Sequence, residues 1–547
     1  MTGWQHHLIV APVLIPLAAA ALLLFFDERR RVLKAMIGIV STVLLAGVAI
    51  ALFRLELSAS QPGNTFNGVY LLGNWPAPFG IVLVLDRLSA LMLVLTAILA
   101  VPALVYSLAR WHAAGAHFHT LFQLLLMGLS GAFLTGDLFN LFVFFEVMLA
   151  ASYGLLLHGS GPLRVKAGLH YIAINLAAAL LFLIGVSLIY GTTGTLNMAD
   201  LALRIADLEP RSRMLMEAGA GVLGVAFLIK AGMWPLNFWL PTAYSAAAAP
   251  VAGIFAIMSK VGIYVILRLS LLLFGEGASG GFGLHVILFG GMATVAFGTI
   301  GVLASQALGR LAGFSVLVSS GTLLAALGLG NGAVTAGALF YLVSSTLTIS
   351  AFFMLIELVE RGQDAGASVL AVTMEAYGDV DEEEPEDEVG IAMPGTIAVL
   401  GTCFAACGIL LSGLPPLSGF VAKFAMLSGM IGSGTAGQAL LPASWWVVLF
   451  VILSGLAALI AMTRAGIRTF WTSMEGTVPR VLVMEVAPVL LLLSLTLALT
   501  VNAGPAMRYM DETVKILNTP IVYIDAVTTA RRAGQEASEQ PDGEGQD

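Results

Sequence analysis

The chain has 547 residues and a net charge of −8; 59% of its residues are hydrophobic and only 11% are charged. Soluble domains carry about 25% charged residues, so the composition excludes an ordinary soluble protein and predicts a chain that buries most of its surface in a lipid bilayer. The two cysteines, Cys403 and Cys407, lie in one apolar run, and we expect neither a disulfide framework nor a metal site. We expect no nucleic acid among the partners.

The first apolar stretch, residues 7–26, lies almost at the N-terminus. No basic residue precedes it, it is long enough to cross a bilayer, and Arg29, Arg30 and Arg31 follow it directly. These features differ from those of a cleavable signal peptide. We therefore expect this stretch to be retained as the first membrane helix.

Apolar stretches of about 20 residues, the length that crosses a hydrocarbon core of roughly 30 Å, recur along the whole chain. We predict fourteen membrane helices, over residues 7–26, 33–53, 83–109, 118–135, 137–157, 168–190, 214–233, 250–274, 282–305, 309–330, 334–359, 395–430, 445–470 and 481–503. The fold class is therefore an all-α polytopic membrane protein.

Two membrane segments are expected to be interrupted. Pro415 and Pro416 lie inside the stretch 395–430, and a proline in a helix interior removes a backbone hydrogen bond. Three prolines are expected to break the stretch between residues 230 and 260: Pro235, Pro241 and Pro250. Irregular backbone at membrane depth is tolerated only where protein shields it or where it lines a water-filled cavity. Two such segments indicate the internally repeated architecture of transporters.

Basic residues are distributed unevenly over the connections between helices. If the N-terminus lies outside, the inner connections carry Arg29, Arg30, Arg31, Lys34, Arg110, Arg164, Lys166, Arg310, Arg361, Arg464, Arg468 and Arg480. The outer connections carry fewer: Arg54, Arg87, Arg204, Arg211, Arg213 and Arg268. This bias predicts an outside N-terminus, and an even helix count places the C-terminal tail outside too.

Three segments are more polar than the membrane helices. Residues 196–208 have the spacing of an amphipathic helix and could lie at the membrane interface. Residues 362–390 contain YGDVDEEEPEDEVG and are interpreted as a solvated acidic loop, with docking of a partner subunit or cation attraction as the alternative. The segment after about residue 527 is polar, and we expect it to be disordered.

Four lone ionisable residues lie inside otherwise apolar runs: Glu146, Lys230, Lys260 and Lys423. A charge near the bilayer centre costs about 2.5–3.5 kcal/mol on insertion scales, so such a residue is by default functional. One acid and three lysines together predict a pathway for protons or cations. The alternative is that the lysines snorkel toward an interface, above all Lys230 near its helix end.

Further candidates, for ion uptake or gating, are Asp86, Asp137, His170 and Arg310. Asp86 and Asp137 each precede a helix, where capping is the stronger interpretation. Arg310 is interpreted first as an inner-surface anchor, and His170 as a residue near the inner mouth of a channel. The three histidines of residues 112–119 are interpreted as part of a solvated loop, with a metal site or a proton antenna as the alternative.

Several segments resemble one family of membrane proteins: KAGMWPLNFWLPTAYSAAAAP, SKVGIY, GLPPLSGFVAKF, LDRLSALML and GDLFNLFVFFEVM. They are similar to the antiporter-like, proton-translocating subunits of respiratory complex I and of Mrp-type cation/proton antiporters. The resemblance covers residues from about 82 to 500. Within that family, FNLFVFFEVMLAASY and the acidic insertion look most like the D subunit of the Mrp/Pha-type antiporter, with complex I and membrane-hydrogenase relatives as the alternative.

The resemblance implies two inverted five-helix repeats, each containing a broken helix. The expected division is helices 1–3 in residues 1–115, the first repeat in 116–275, the second repeat with the acidic loop in 276–475, helix 14 in 476–505 and a polar tail in 506–547. The resemblance also implies roles for single residues. Glu146 would pair with Lys230, Lys260 would join two half-channels, and Lys423 would be the terminal proton carrier of the second one.

The chain departs from the family pattern at three places. Asn237 stands in PLNFWLP where many relatives have a histidine, and ALGRLAGFS retains Arg310 without the preceding lysine. The segment FYLVSSTLTISAFFML has no histidine or lysine and offers only hydroxyls: Ser344, Ser345, Thr346, Thr348 and Ser350. The link from Lys260 to Lys423 would therefore run over hydroxyls and water. Because of these departures, we expect less that proton transfer in this chain is coupled to a redox module.

The leading hypothesis is a secondary transporter subunit, and not an enzyme, that relays protons in a multisubunit Na⁺/H⁺ or K⁺/H⁺ antiporter of the cell inner membrane. Its partners would be the other subunits, protons, Na⁺ or K⁺ and the lipid bilayer, and no cofactor is expected. The alternative is the proton-pumping membrane subunit of a complex I-like or membrane-hydrogenase redox complex. A structural scaffold, the third class, would tolerate neutralisation of the four buried charges.

Overall fold

Nineteen helices and one β-hairpin make up the part of the chain that the computed structural model describes, residues 6–59, 68–275, 277–376, 395–432, 442–470 and 481–530. The first nine helices are α1 (Ala11–Leu24), α2 (Arg31–Ala59), α3 (Arg87–Ala109), α4 (Phe118–Leu134), α5 (Leu138–Leu156), α6 (Pro162–Thr193), α7 (Met198–Ala206), α8 (Pro210–Ala231) and α9 (Trp239–Ala246). The next ten are α10 (Ala249–Phe274), α11 (Leu284–Ala304), α12 (Leu308–Gly328), α13 (Gly332–Ala376), α14 (Gly395–Ser412), α15 (Ser418–Gly432), α16 (Pro442–Phe470), α17 (Val483–Val501), α18 (Ala503–Leu517) and α19 (Pro520–Thr528). The strands are β1 (Gly68–Leu71) and β2 (Val82–Leu85), and short 3-10 turns cover Leu72–Asn74 and Trp111–Ala113.

Twelve of the described helices are long and apolar enough to cross a membrane: α2, α3, α5, α6, α8, α10, α11, α12, α13, α14, α16 and α17. The shorter apolar helices are α1, α4 and α15. Every predicted span coincides with one of these helices or, for 395–430, with the pair α14 and α15. The predicted helical, polytopic membrane fold is confirmed. The count of fourteen spans and the inverted repeats stay predictions.

Both predicted interruptions are present, and they share one local geometry. Gly232 follows α8 with a φ of 75°, and Gly413 follows α14 with a φ of 76°. Glycine suits this left-handed conformation because it has no Cβ. A proline stands three residues after each glycine, Pro235 in the first break and Pro416 in the second. The two breaks therefore follow one sequence pattern, G-x-x-P.

The other two prolines of the first break lie in first turns of helices. Pro241 is the third residue of α9, and Pro250 is the second residue of α10. A proline near a helix start is tolerated because the first N–H groups have no partner within the helix. Pro235 lies between α8 and α9, and a further break between Ala246 and Ala249 directly precedes Pro250, so the prediction that all three prolines break this stretch was wrong for Pro241.

The core of the bundle lies around α10 and α13. The apolar windows of both helices are completely buried inside the chain, whereas only about a third of the windows in α2, α6 and α14 is buried. α10 contacts α3, α8, α12 and α13, so it is surrounded on all sides. A lysine on α10 therefore has protein around it and no lipid.

Helices α18 and α19 and the β-hairpin were not predicted from the sequence. β1 and β2 pair antiparallel, with Gly68 opposite Leu85. α18 contacts α13, and α19 contacts α7 and β1, so the C-terminal segment returns onto the bundle. The residues after 530, where disorder was expected, lie outside the described residues.

The predicted amphipathic helix at 196–208 is present as α7. Asn197 caps it, because its side-chain oxygen accepts from the backbone N–H groups of Ala199 and Asp200. Its residues Leu201 and Ile205 are buried, whereas Leu203 is 45% exposed. α13 continues to Ala376, so the first part of the expected acidic loop is helical, and YGDVDEEEPEDEVG lies outside the described residues.

Candidate ion-transfer site

Lys260 lies at the centre of the bundle, on α10, with 0% of its surface exposed. Its amine donates hydrogen bonds to the hydroxyls of Ser319, at 2.9 Å, and Ser320, at 3.5 Å, both on α12. A buried charge costs much free energy unless polar groups solvate it, and here two hydroxyls do so. The alternative interpretation, that the lysine side chain extends toward the membrane interface, was wrong for Lys260.

The hydroxyls continue from Lys260 toward the second broken helix. Ser319 Oγ donates to Ser345 Oγ on α13 at 2.9 Å. The preceding residue of α13, Ser344, shares a 2.8 Å hydrogen bond with the hydroxyl of Ser418, the first residue of α15. Two serine pairs thus connect α12, α13 and α15 in one layer of the bundle.

A small cavity lies between the two serine pairs. It has a volume of about 20 Å³ and is lined by Ser315, Ser319, Tyr341, Ser344, Ser345, Thr348 and Ser454, together with apolar residues that include Leu411. About 10–15 Å³ is enough for one water, provided that it finds two to four polar partners. The cavity offers both the room and the partners. The expected link of hydroxyls and water therefore has a geometric basis.

Lys423 stands at the far end of this link. It lies on α15, only 7% exposed, and its amine donates to the carbonyls of Leu411, at 3.2 Å, and Ser412, at 2.9 Å. These carbonyls end α14, and the C-terminal end of a helix carries a partial negative charge that stabilises a cation. Leu411 also lines the cavity, so Lys423 and the serine layer share this neighbour.

Lys230 lies in the last turn of α8 and is half-buried. Its amine donates to the side-chain oxygen of Asn175 on α6 at 2.7 Å and lies 5.7 Å from the centre of the Phe145 ring. Asn175 in turn donates to the carbonyl of Tyr171 at 2.8 Å, so its orientation is fixed. Its oxygen is thus held toward the lysine.

The expected ion pair between Glu146 and Lys230 is not closed. Among the described residues no oxygen of Glu146 lies within 4.0 Å of a basic nitrogen, although the charges of the two residues still interact. Glu146 is half-buried and shares the outward-facing side of α5 with the exposed Phe139 and Val143. The expectation of a direct pair was therefore wrong for this conformation, in which Lys230 contacts Asn175 instead.

The backbones of α8 and α10 touch near Lys230 and Lys260. A Cβ on Gly262 would come within 2.8 Å of the Ala231 nitrogen and of the Phe227 carbonyl oxygen. Real Cβ atoms do not approach this closely, so glycine is required at this crossing. The close approach brings the end of α8, with Lys230, against the part of α10 that carries Lys260.

Several buried polar atoms near this crossing have no hydrogen-bond partner among the described residues. They are the side-chain nitrogens of Asn237 and Trp239 and the hydroxyl of Ser259, which lie in the first break, in α9 and in α10. Buried polar atoms of proteins are nearly always paired, often with ordered water. This part of the bundle is therefore suited to hold water between Lys230 and Lys260.

Asp86 and Asp137 cap helices, as expected. Asp86 accepts from the Ser89 N–H and caps α3, and its carboxylate is held by two hydrogen bonds from Arg268 at 2.7 and 2.8 Å. Burial by itself raises the pKa of Asp86, but the charge and hydrogen bonds of Arg268 outweigh it and lower that pKa. Asp137 accepts from the Asn140 N–H and caps α5, and burial raises the pKa of its carboxyl.

His170 and Arg310 do not join the line of lysines. His170 lies on the exposed side of α6, where its ring bonds the carbonyl of Lys166 in the same helix. Arg310 is exposed in the first turn of α12. Their roles in ion uptake or gating stay predictions.

The histidines of residues 112–119 are not all solvated. His117 is exposed and lies 3.0 Å from Glu28, but His119 is 4% exposed in the first turn of α4, with no partner for either ring nitrogen among the described residues. His112 is half-buried beside it, and burial and the charge of Arg31 lower the pKa of His112. The described residues contain no group of His, Cys, Asp and Glu that could hold a metal ion. The interpretation as a solvated loop was wrong for His119.

Sequence reasoning missed the uncharged members of the site, Asn175, Ser319 and Ser418. A lone asparagine in the apolar run IAINLAAA was a usable signal for Asn175. The serines gave none, because many serines in this chain, such as Ser107 and Ser187, bond the backbone of their own helix. Only the packing of the helices shows which hydroxyls face Lys260.

A family model, curated relatives and a solved structure all relate this chain to Mrp-type antiporters. The family model described as "NADH:quinone oxidoreductase/Mrp antiporter, TM" matches residues 135–456. The chain is 66% identical to the D subunit of a probable K(+)/H(+) antiporter of Rhizobium meliloti, over 98% of the chain and 100% of the relative. It is 32% identical to the D subunit of the Na(+)/H(+) antiporter of Alkalihalophilus pseudofirmus, over 96% and 99% of the two chains. In a solved structure of the Mrp complex from Dietzia sp. DQ12-45-1b, one chain matches with a TM-score of 0.80 and 26% identity, over 96% of this chain and 100% of that one.

Proposed function

Since the chain belongs to the NADH:quinone oxidoreductase/Mrp antiporter family, among the D subunits of Mrp-type antiporters, we propose that it is the proton-translocating membrane subunit of a multisubunit cation/proton antiporter. It is a secondary transporter subunit that exchanges K⁺ or Na⁺ for protons together with its partner subunits. The observation that carries the proposal is the layer from Lys260 through Ser319 and Ser345 to the cavity beside Lys423.

Protons are passed between the lysine amines in this mechanism. An amine that gives up its proton becomes an acceptor, and the hydroxyl of Ser319 is placed to carry the proton of Lys260 onward because it accepts from Lys260 and donates to Ser345. A hydroxyl carries one donor and two acceptor positions, so it can take a proton on one side and release one on the other. The same property belongs to Ser344, Ser418 and a water in the cavity.

Lys230 and Glu146 form a switch in the first half of the proposed proton route, before Lys260. When the pair closes, the carboxylate stabilises the charged amine; two unit charges 4 Å apart gain about 4 kcal/mol at an effective dielectric constant of 20. When the pair is open, as in this structure, the amine of Lys230 is bonded to the neutral Asn175 instead of a carboxylate and releases its proton more readily toward Lys260. Opening and closing thus decide whether Lys230 holds or donates a proton.

The half-exposed position of Glu146 supports a neighbouring subunit at α5. An ionised carboxylate that faced acyl chains would cost a few kcal/mol. A partner helix that contributes a basic or polar group at the level of Glu146 removes this cost. The subunit partnership therefore completes the switch as well as the complex.

Potassium is the favoured cation, because the relative at 66% identity is named for K(+)/H(+) exchange, whereas the relative at 32% is named for Na(+). The complex I-like alternative has less support, since these two relatives align along nearly their whole length. We place the chain in the cell inner membrane with its N-terminus outside, on the distribution of basic residues.

The test is cation-driven proton movement in vesicles that contain the complete multisubunit assembly. Addition of K⁺ or Na⁺ to vesicles with an acid interior should raise the internal pH, and K⁺ should act at the lower concentration. Glu146→Gln and Lys230→Ala should abolish the response. Glu217→Gln is the matched control, because Glu217 also lies on α8 but bonds Ser279 away from the lysines. Near-normal exchange in both site variants would refute the switch.

A further inference from the structure

A second cluster of buried polar groups lies on the same helix as Lys260. Tyr264 and Arg268 follow Lys260 at intervals of four residues, which places the three side chains on one face of α10. Tyr264 is 4% and Arg268 is 6% exposed. The proton route proposed above leaves Lys260 in another direction, toward α12 and α13, and does not use this cluster.

Each polar atom that Arg268 and Tyr264 present is already bonded. The guanidinium donates two hydrogen bonds to the two oxygens of Asp86 and one, at 3.1 Å, to the Tyr264 hydroxyl. The Tyr264 hydroxyl in turn donates a hydrogen bond to the carbonyl of Phe133, at 2.6 Å. Arginine keeps its protons in proteins, and the one hydroxyl proton of Tyr264 is engaged, so the cluster cannot relay a proton without breaking a bond. The serine layer differs, because its hydroxyls border a cavity with room for water.

The space between Tyr264 and the bundle core is apolar. A cavity of about 10 Å³ beside Tyr264 is otherwise lined only by apolar side chains, among them Leu88, Met92 and Leu323. A water in such a cavity would find no set of polar partners, so the cavity stays dry. This cavity therefore offers protons from Lys260 no wet route among the described residues.

The C-terminal helices close the cluster from the other side. Tyr523 of α19 is 7% exposed, and its ring centre lies 5.4 Å from the guanidinium carbon of Arg268; the ring of Tyr264 lies at 5.2 Å. A Cβ on Gly136 would come 3.0 Å from the Tyr523 hydroxyl, so this hydroxyl lies against the turn between α4 and α5, and it has no hydrogen-bond partner among the described residues. Arg268 is thus enclosed by two aromatic rings, and such contacts stabilise a desolvated cation.

We propose that Arg268, held by Asp86 and enclosed by Tyr264 and Tyr523, is the plug that closes the Arg268 end of α10 to protons and cations. The ion pair is held in place and the cavity beside Tyr264 is lined by apolar side chains, so an ion there finds no free groups to solvate it, and Lys260 then exchanges protons through the first break and the serine layer. This inference rests on the proposed function, because a plug has meaning only beside a proton route. The acidic and titratable groups that face Arg268 are Asp86, Tyr264 and Tyr523, and Asp137 adjoins Tyr523.

The test measures passive proton leak, with no K⁺ or Na⁺ present, in vesicles that contain the complete assembly. The double variant Asp86→Asn/Arg268→Gln removes both charges together, so that no unpaired charge is left buried. We expect its leak to rise about tenfold, whereas Arg268→Lys, which keeps a cation paired with Asp86, should stay within about twofold of the wild type. Tyr523→Ala should raise the leak as well, and Tyr523→Phe, which keeps the ring, should not.

Two controls separate a plug from general loosening. Glu512→Gln removes the ion pair between Glu512 and Arg87, which ties α18 to the start of α3 beside the cluster but does not touch Arg268. Its leak should equal that of the wild type, and an equal rise in this variant overturns the proposal. Lys260→Ala added to the double variant should return the leak to the wild-type level, because the leaking protons pass Lys260.

The outcomes also distinguish the plug from the proposed function. An unchanged leak in both the double variant and Tyr523→Ala, with the assembly intact, overturns the plug whatever the exchange activity. If the double variant does not assemble, the comparison of Tyr523→Ala with Tyr523→Phe decides alone. If wild-type vesicles show no cation-driven proton movement, the proposed function fails, and the leak data still report whether the Arg268 end is closed.

Discussion

The amine of Lys260 lies 2.9 Å from the hydroxyl of Ser319, and this single contact joins α10 to the serine layer of the second half. It solvates a charge at the centre of the bundle with a neutral group that itself donates to Ser345. A carboxylate in the place of Ser319 would hold the lysine proton in an ion pair. A hydroxyl leaves the proton exchangeable, which is what a relay needs.

Removing two hydroxyls of the serine layer next to Lys260 should slow proton transfer without unfolding the chain. We expect Ser319→Ala/Ser345→Ala to lower cation-driven proton movement about tenfold or more, because proton transfer by positioned groups contributes at least that much. The control is Thr346→Val, since Thr346 is equally buried on α13 but bonds the carbonyl of Leu342 in its own helix. Equal activity in the two variants would mean that the serines are only structural.

A carboxylate at position 175 should hold Lys230 in its protonated state and so block the switch formed by Lys230 and Glu146. In Asn175→Asp the amine of Lys230, now 2.7 Å from a neutral amide oxygen, would gain a permanent ion pair and hold its proton. We expect exchange to fall strongly while the assembly forms normally, and Asn175→Ala to lower exchange less. Proton movement in vesicles measures both. A fully active Asn175→Asp protein would show that Lys230 need not release its proton.

The crossing of α8 and α10 should not tolerate a side chain at position 262. The Cβ of alanine would meet backbone atoms at 2.8 Å, and overpacking of this kind costs about 1–3 kcal/mol. We expect Gly262→Ala to lower the midpoint of thermal unfolding in detergent. Gly224→Ala is the matched control on α8, because nothing lies within 4 Å of its added Cβ, and it should be neutral or slightly stabilising. Equal midpoints of the two variants would contradict the close contact.

The stability of the chain should depend on pH through Asp137, which caps α5 just outside the membrane span. Burial raises the pKa of this carboxyl above its ordinary value of 3.8. At pH values between this ordinary pKa and the raised pKa of the folded chain, the folded chain binds more protons than the unfolded chain. Stability therefore falls as pH rises through this interval. The substitution Asp137→Asn keeps an N-cap side chain at this position but removes its ionisation. This variant should therefore be more stable than the wild type at neutral pH and equally stable in acid; a difference that is the same at both pH values would contradict this.

The sequence was sufficient to predict the helical, polytopic membrane fold and to single out the ionisable residues inside apolar runs. A lone charge in a long apolar run is costly, so Glu146, Lys230, Lys260 and Lys423 stand out without any structure. The two breaks were also predictable, because glycine and proline act locally. What sequence could not show is which neutral groups face the lysines, since a serine hydroxyl bonds its own helix as readily as a neighbour.

Two arginines show a second limit of the sequence. Arg87 and Arg268 were counted among the basic residues of outer connections, but the structure buries both and pairs them with acids far away in sequence, Glu512 and Asp86. A count of basic residues near helix ends cannot separate an interfacial anchor from a buried ion pair. Helices α18 and α19 were missed for a related reason, because their contacts with α13, α7 and β1 are tertiary.

The central claim is that protons cross the bundle by way of Lys260. The most direct test measures cation-driven proton movement in vesicles that contain the complete assembly, with the wild-type chain and with Lys260→Ala, after equal assembly has been verified. The account predicts loss of proton movement in the variant, because the first break and the serine layer then have no shared proton carrier. Undiminished movement in the variant would contradict it.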